Sequence, residues 1–278
     1  MTKTMLDIGK VSNLYTETFT MAGFDHMYDF SDRIVVVTGG AGGIGESTAY
    51  AFARSGAKVI IMDRSEEALA KAMARLSEAG DVSSVAVDVA DRDAVEAAFN
   101  EIAKIGGTDI LITSAAIVKT GLILDFDPQD WERILSVNLT GTFNCCQFAG
   151  RQMVAKRAGR IITVSSVNGQ IANTGRGAYS CSKGAVDMLT RLLAAELGDK
   201  GVTANAVAPT PVDTPMILQV HGPKDRAIWD AQIPAKRYAK PEEVAAAIQF
   251  LASPEAAYIN GHILNIDGGF MASGVLIR

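Results

Sequence analysis

Three cysteines, three histidines and two tryptophans are all that 278 residues hold of these types. Cys145, Cys146 and Cys181 are odd in number and show no Cys-x-x-Cys spacing, so a disulfide framework is not expected. All three read as small buried thiols in a reducing compartment. His26, His221 and His262 are scattered with no His-x-x-x-His pair, which leaves a metal centre unsupported, and no Gly-x-Ser-x-Gly elbow supports a hydrolase. Apolar runs such as Ile34 to Val37 and Val59 to Met62 are strand-length, far below the roughly 18 residues of a membrane span. The first residues include Asp7, Gly9 and Lys10, with no apolar stretch of about 7 to 15 residues behind a basic head; the expectation is a cytoplasmic protein. A basic surplus is also missing. Twenty-six lysines and arginines stand against 31 acidic residues, a net charge of -5 that does not suit a phosphate backbone, so nucleic acid is not an expected partner.

What is present is a globular composition, 48% hydrophobic and 21% charged. From Arg33 onward, β-branched runs alternate with longer alanine-rich stretches of helical period, the pattern of a doubly wound parallel sheet. Strands are expected at Ile34 to Thr38, Lys58 to Asp63, Ser84 to Asp88, Ile110 to Ser114, Arg160 to Ser165, Thr203 to Ala208 and His262 to Ile266. Helices are expected near Gly45 to Ser55, Glu66 to Ala79, Arg92 to Lys104, Gln129 to Lys156, Tyr179 to Gly198 and Pro241 to Ala252. The class is therefore a single α/β domain over 31–278 with an N-terminal extension over 1–30, the latter suited to packing on a neighbouring subunit. Residues 210–240 have weak periodicity and several prolines and read as a substrate lid.

The run Thr38-Gly39-Gly40-Ala41-Gly42-Gly43-Ile44-Gly45 follows a strand and opens a helix, the setting in which glycines let a backbone approach a pyrophosphate and free N–H groups attract its charge. Two registers fit: Gly40, Gly42 and Gly45 as Gly-x-Gly-x-x-Gly, or Gly39, Gly43 and Gly45 as Thr-Gly-x-x-x-Gly-x-Gly. Asp63, about 20 residues on, can accept from adenosine ribose hydroxyls, which favours NAD; Arg64 beside it is the residue that could instead pair with the 2′-phosphate of NADP. Asp88 with Val89 ends the third strand and either touches the adenine edge or caps the next helix.

Tyr179 and Lys183 stand four apart at a helix start, on one face. Bringing a phenol from pKa about 10 to about 7 takes about 4 kcal/mol of phenolate stabilisation. A nearby ammonium can contribute to it. The spacing alone is weak evidence, but Thr163-Val164-Ser165-Ser166 ends a strand in hydroxyls on the ligand side of the sheet, where Ser166 can hold a substrate oxygen. Asn138 is a polar residue in an apolar helix, either a working group or a structural buried amide.

These motifs together, with Asn205-Ala-Val-Ala-Pro209 and Asn265-Ile-Asp267-Gly268-Gly269, resemble the short-chain dehydrogenase/reductase family over about Phe30 to Phe270. The resemblance implies a tetrad of Asn138, Ser166, Tyr179 and Lys183, and a dinucleotide held by Gly39, Gly43, Ile44, Gly45, Asp63, Arg64, Asp88, Val89, Ser114, Ala115, Tyr179, Lys183, Pro209, Val212 and Thr214. Tyr179 would be the general base, Ser166 would polarise the oxygen, Lys183 would lower the phenol pKa, and Asn138 would order a relay water. A homotetramer is also implied. Two positions depart from the family: Thr113-Ser114-Ala115-Ala116 replaces the usual Asn-Asn-Ala-Gly, and Thr210 replaces the glycine after Pro209. The amides Asn168, Gln170 and Asn173 after Ser166 suit a hydroxyl-rich wall, so the expected substrate is a small polyol oxidised to a ketose. The alternatives are a 3-oxoacyl thioester reductase and, in another class, a silent nucleotide-binding scaffold.

Overall fold

A computed structural model describes residues 28–273. The N-terminal extension lies outside the described residues except for its last three, of which Phe30 is buried and packs on Phe52 with ring centroids 4.7 Å apart. Seven parallel strands form one sheet: β1 (Ile34–Thr38), β2 (Lys58–Asp63), β3 (Val82–Ala86), β4 (Ile110–Thr113), β5 (Gly159–Val164), β6 (Val202–Pro209) and β7 (Ile263–Ile266). Their order is β3-β2-β1-β4-β5-β6-β7, so the chain reverses direction across the sheet between β1 and β4. A crevice opens at the carboxyl ends of the strands at such a switch point.

Alternation along the strands builds two cores. Val35 and Val37 of β1 join Phe52 of α1 (Gly43–Arg54), Leu69 of α2 (Glu66–Leu76) and residues 244 to 252 near the chain's end on one face. Ile34 and Val36 join Val95 and Phe99 of α3 (Arg92–Lys104), with Cys145, Cys146 and Met153, on the other. Period two along a strand makes this division, and helices on both faces follow from it.

Three boundaries differ from the sequence reading. β3 ends at Ala86, so Asp88 and Val89 lie beyond the strand, and it is Asp91 that caps α3 by accepting from Asp93 N and Ala94 N at 3.1 Å. The long helix expected from Gln129 is broken into α4 (Pro128–Leu135), a π-helical turn over Ser136–Gly141, and α5 (Thr142–Lys156). Two long-range contacts accompany the break: Asn138 bonds the backbone of Ile117, and Gly141 lies so close to Val89 that a Cβ would meet its Cγ2 at 2.5 Å. Such π-turns concentrate at functional sites. The expected lid contains two short helices, α7 (Pro215–Val220) and α8 (Pro223–Gln232); α6 (Gly177–Leu197) and α9 (Pro241–Ala252) complete the outer layers. Cys145 and Cys146 are buried, but Cys181 is exposed, because it occupies the outward side of α6. Among the described residues no helix is long and apolar enough to cross a membrane.

Candidate active site

A cavity of about 390 Å³ opens at the carboxyl ends of the strands, walled by the glycine loop, the ends of β2, β4, β5 and β6, and helix α7. Gly39 and Gly43 adopt positive φ, +64° and +55°, in the left-handed region that glycine alone enters at no steric cost. Gly42, the N-cap of α1, has nothing within 4 Å of where a Cβ would stand, so its side of the loop is open. The loop at the positive end of α1 thus fits a pyrophosphate. Gly45 does not line the cavity; a Cβ there would meet the Gly39 carbonyl oxygen at 2.2 Å, which makes its job the seating of α1 against the loop.

Asp63 ends β2 at the cavity wall with Oδ1 accepting from Ser65 N at 3.2 Å, which leaves Oδ2 for a ribose hydroxyl. Arg64 also lines the wall and is exposed. It faces Asp88, whose carboxyl is pulled down by its bonds to Arg133, at 2.7 Å, and Ala90 N against the opposing effect of burial. Val89, Ser114, Ala115, Pro209, Val212 and Thr214 line the same cavity, together with Thr210. The two departures have visible consequences. Thr113 Oγ1 is buried without a partner, while Thr38 ties β4 on through Ser114 N at 3.1 Å and Ala115 N at 3.3 Å. Thr210 continues the sheet by donating to Ile266 O at 3.3 Å, in a backbone conformation that does not require glycine.

Ser166, Tyr179 and Lys183 meet in the cavity. Ser166 follows β5, its Oγ accepting from Asn168 N at 3.2 Å and donating to Pro209 O at 3.5 Å, and it lies in the same cavity wall as Tyr179, which sits in the first turn of α6. Burial pushes that phenol above its ordinary pKa, while Ser166 and the Arg176 guanidinium draw it down. Lys183 is buried, its Nζ donating to Val164 O at 2.6 Å and standing 5.7 Å from the Tyr179 ring centroid; burial lowers it to about 8. The Arg176 guanidinium is thus a second cation beside this phenol, one that the sequence reading does not name.

Asn138 is fully buried and stands behind the cavity rather than in its lining. Its Oδ1 accepts from Ile117 N at 2.8 Å, and its Nδ2 donates to Ile117 O at 3.0 Å and Ser182 Oγ at 3.1 Å. Ser182 Oγ in turn donates to the Tyr179 carbonyl at 2.7 Å, so Asn138 positions the turn that carries the phenol. Of the three amides, Asn168 lines the cavity. Asn173 supports it through a side-chain bond, and Gln170 turns away to Asn265 Oδ1 at 2.6 Å.

Two groups escape the sequence motifs. Arg176 lines the cavity one turn before Tyr179, and its only signal is that spacing. Asp187, four residues after Lys183 on α6, is buried with Oδ1 unpartnered; its carboxyl is pushed up by burial and drawn back by Ser165, Arg191 and Lys183.

A glycine-loop crevice beside a Ser-Tyr pair defines a nucleotide-dependent alcohol oxidoreductase. Residues 39–271 match the family model described as enoyl-(acyl carrier protein) reductase. The chain is 37% identical over 242 residues to the 3-oxoacyl-(acyl-carrier-protein) reductase of Thermotoga maritima, covering 86% of this chain and 98% of that protein. It is 40% identical over 240 residues to the galactitol 2-dehydrogenase of Rhizobium johnstonii, covering 84% and 93%. A solved gluconate 5-dehydrogenase from Burkholderia cenocepacia, in complex with NADP and tartrate, matches with a TM-score of 0.85 at 33% identity, over 91% of this chain and 100% of that one. The chain belongs to the short-chain dehydrogenase/reductase family, NAD(P)-dependent enzymes acting on secondary alcohols or ketones.

Proposed function

We propose that this chain oxidises a small polyol to a ketose with NAD, at a secondary hydroxyl next to the chain end of a substrate of about four to six carbons. The observation that carries this reading is Asn168 lining the cavity beside Ser166 and Tyr179. Asn168 is half-buried, and an amide partly withdrawn from water favours a hydroxyl over an alkyl chain that leaves it unpaired. The glycine loop fits the pyrophosphate, as its open Gly42 side indicates; Gly39, Gly43 and Ile44 would hold it, with Asp63 on the ribose, Asp88 and Val89 near the adenine, and Ser114 and Ala115 at mid-cavity. Lys183, Pro209, Val212 and Thr214 would hold the nicotinamide end. The bound dinucleotide supplies the hydride acceptor at nicotinamide C4.

The rest is the chain's own work. Ser166 donates to the substrate oxygen and orients it, and Tyr179 Oη takes the carbinol proton as the carbon's hydride leaves. In reduction the same phenol returns the proton. Lys183, held by the Val164 carbonyl, fixes the far side of the phenol ring. The lid over 210–240 closes the open side of the cavity with Met216, Ile217 and Trp229. The exposed apolar side chains of Phe143 on α5 and of Met188 and Leu192 on α6 suit burial between subunits of a homotetramer.

A second reading, reduction of a 3-oxoacyl thioester, is favoured by relatives such as the Thermotoga enzyme. Catalytic efficiency across a panel of four- to six-carbon alditols and aldonates, butan-2-ol and an acetoacetyl thioester separates the two. The best polyhydroxylated substrate is expected to exceed butan-2-ol by about 100-fold or more. A thioester reduced far more efficiently than any polyol is oxidised overturns the polyol reading.

A further inference from the structure

Arg176 is a half-buried guanidinium in the wall of a cavity built for a small hydroxylated molecule. Among the described residues no carboxylate lies within 4.0 Å of it, and the arginine and lysine ion pairs elsewhere leave it out. Asp225 acts on it only through space, its own Oδ2 accepting from Gly222 N at 2.9 Å. A charge that is partly withdrawn from water and left unpaired calls for a partner.

The side chain is also held in place. Arg176 Nη2 donates to His221 Nε2 at 2.7 Å, so the other ring nitrogen, His221 Nδ1, carries the proton and donates to Tyr238 Oη at 2.8 Å. Trp229 lies flat along the His221 ring, 6.3 Å between centroids and 18° between planes. His221 comes from the end of α7 and Trp229 from α8, so the lid itself anchors the guanidinium. The remaining N–H donors of Arg176 have no bond among the described residues and are not sealed away from solvent. Arg176 and Tyr179 line the same cavity, three positions apart at the start of α6, and the guanidinium acts on the phenol through space.

We infer that Arg176 is a specificity-determining residue that receives a carboxylate at the end of the substrate remote from the reacting hydroxyl, so that the preferred polyols are sugar acids. The inference rests on the polyol reading and refines it. A planar guanidinium matches a carboxylate through parallel N–H bonds, and one already fixed by His221 loses little freedom on doing so. A neutral alditol in the same place leaves the charge unpaired.

The test compares each aldonate with the alditol of matching carbon number and configuration, in the native enzyme and in Arg176→Gln. The native ratio of kcat/KM, aldonate over alditol, is expected to be about 100-fold, the worth of a charge-assisted pair. In Arg176→Gln the ratio falls below about 5, with the loss in KM for the aldonate, while Arg176→Lys, a point charge without the fork, lies between. The ratio is the readout because loss of Arg176 also alters Tyr179 and so lowers kcat for both substrates. Binding of succinate to the native enzyme–NADH complex, against butane-1,4-diol as the uncharged control, needs no variant and no turnover. Succinate is expected to bind at least about 10-fold more tightly than the diol. Equal binding, a native ratio near one, or a ratio unmoved by the substitution overturns the carboxylate role. Failure of every polyhydroxylated substrate beside a rapid thioester would overturn the polyol reading instead, and succinate binding would still decide Arg176.

Discussion

Replacing Tyr179 with phenylalanine is expected to lower turnover by about 100-fold or more while leaving NADH affinity within a few fold. The substitution removes one oxygen and almost no volume, so the first turn of α6, tied to Asn138 through Ser182, keeps its place. What it removes is the phenolic proton carrier that shares the cavity wall with Ser166. Burial alone would leave the phenol a poor base; Ser166 and Arg176 both act to favour its ionised form. Steady-state rates together with an NADH fluorescence titration decide the matter. A variant retaining more than about a tenth of native turnover removes Tyr179 from the general-base role, since such groups contribute at least 100-fold.

Cofactor choice is the second large effect. The native enzyme is expected to favour NAD over NADP by about 100- to 1000-fold in kcat/KM, because a 2′-phosphate near 4 Å from the Asp63 carboxylate meets about 4 kcal/mol of repulsion at an effective dielectric of 20. Arg64 would offset this only by turning toward the phosphate, and Asp88 opposite it competes for the same charge. Asp63→Ala should bring the NAD-to-NADP ratio within about 10-fold of one, by removing both the ribose acceptor and the repulsion. The solved Burkholderia relative carries NADP, so the sign of the native preference is informative. An NADP preference in the native enzyme, little changed in Asp63→Ala, shows that Arg64 dominates this wall.

Much of the fold is legible in the sequence. The strand–glycine–helix run from Ile34 to Arg54 announces itself because the turn chemistry, the β-branched strand and the alanine-rich helix all agree. Ser166, Tyr179 and Lys183 were readable for a similar reason: a strand end and a helix start each carry a short signal in its proper context. The π-turn at Ser136–Gly141 was not, since it goes with a bond between Asn138 and a backbone group 21 positions away. Gln170 illustrates the same limit. Its place in the sequence suggests a wall of the pocket, yet Asn265, 95 residues on, holds it outside. Arg176 escaped notice because an arginine in a loop is ordinarily solvated; only the lid contact through His221 shows that this one is held inside.

The central claim is that hydride leaves a secondary carbinol carbon in this cavity, and one label tests it directly. The best polyhydroxylated substrate of the panel, deuterated at the carbon that is oxidised, is incubated with native enzyme and NAD, and the reduced cofactor is weighed by mass spectrometry. The account predicts one deuterium in each reduced cofactor formed, and a rate at least about 100-fold lower in Tyr179→Phe. Reduced cofactor without deuterium, or tight NADH binding with no label transferred from any alcohol of the panel, would contradict it.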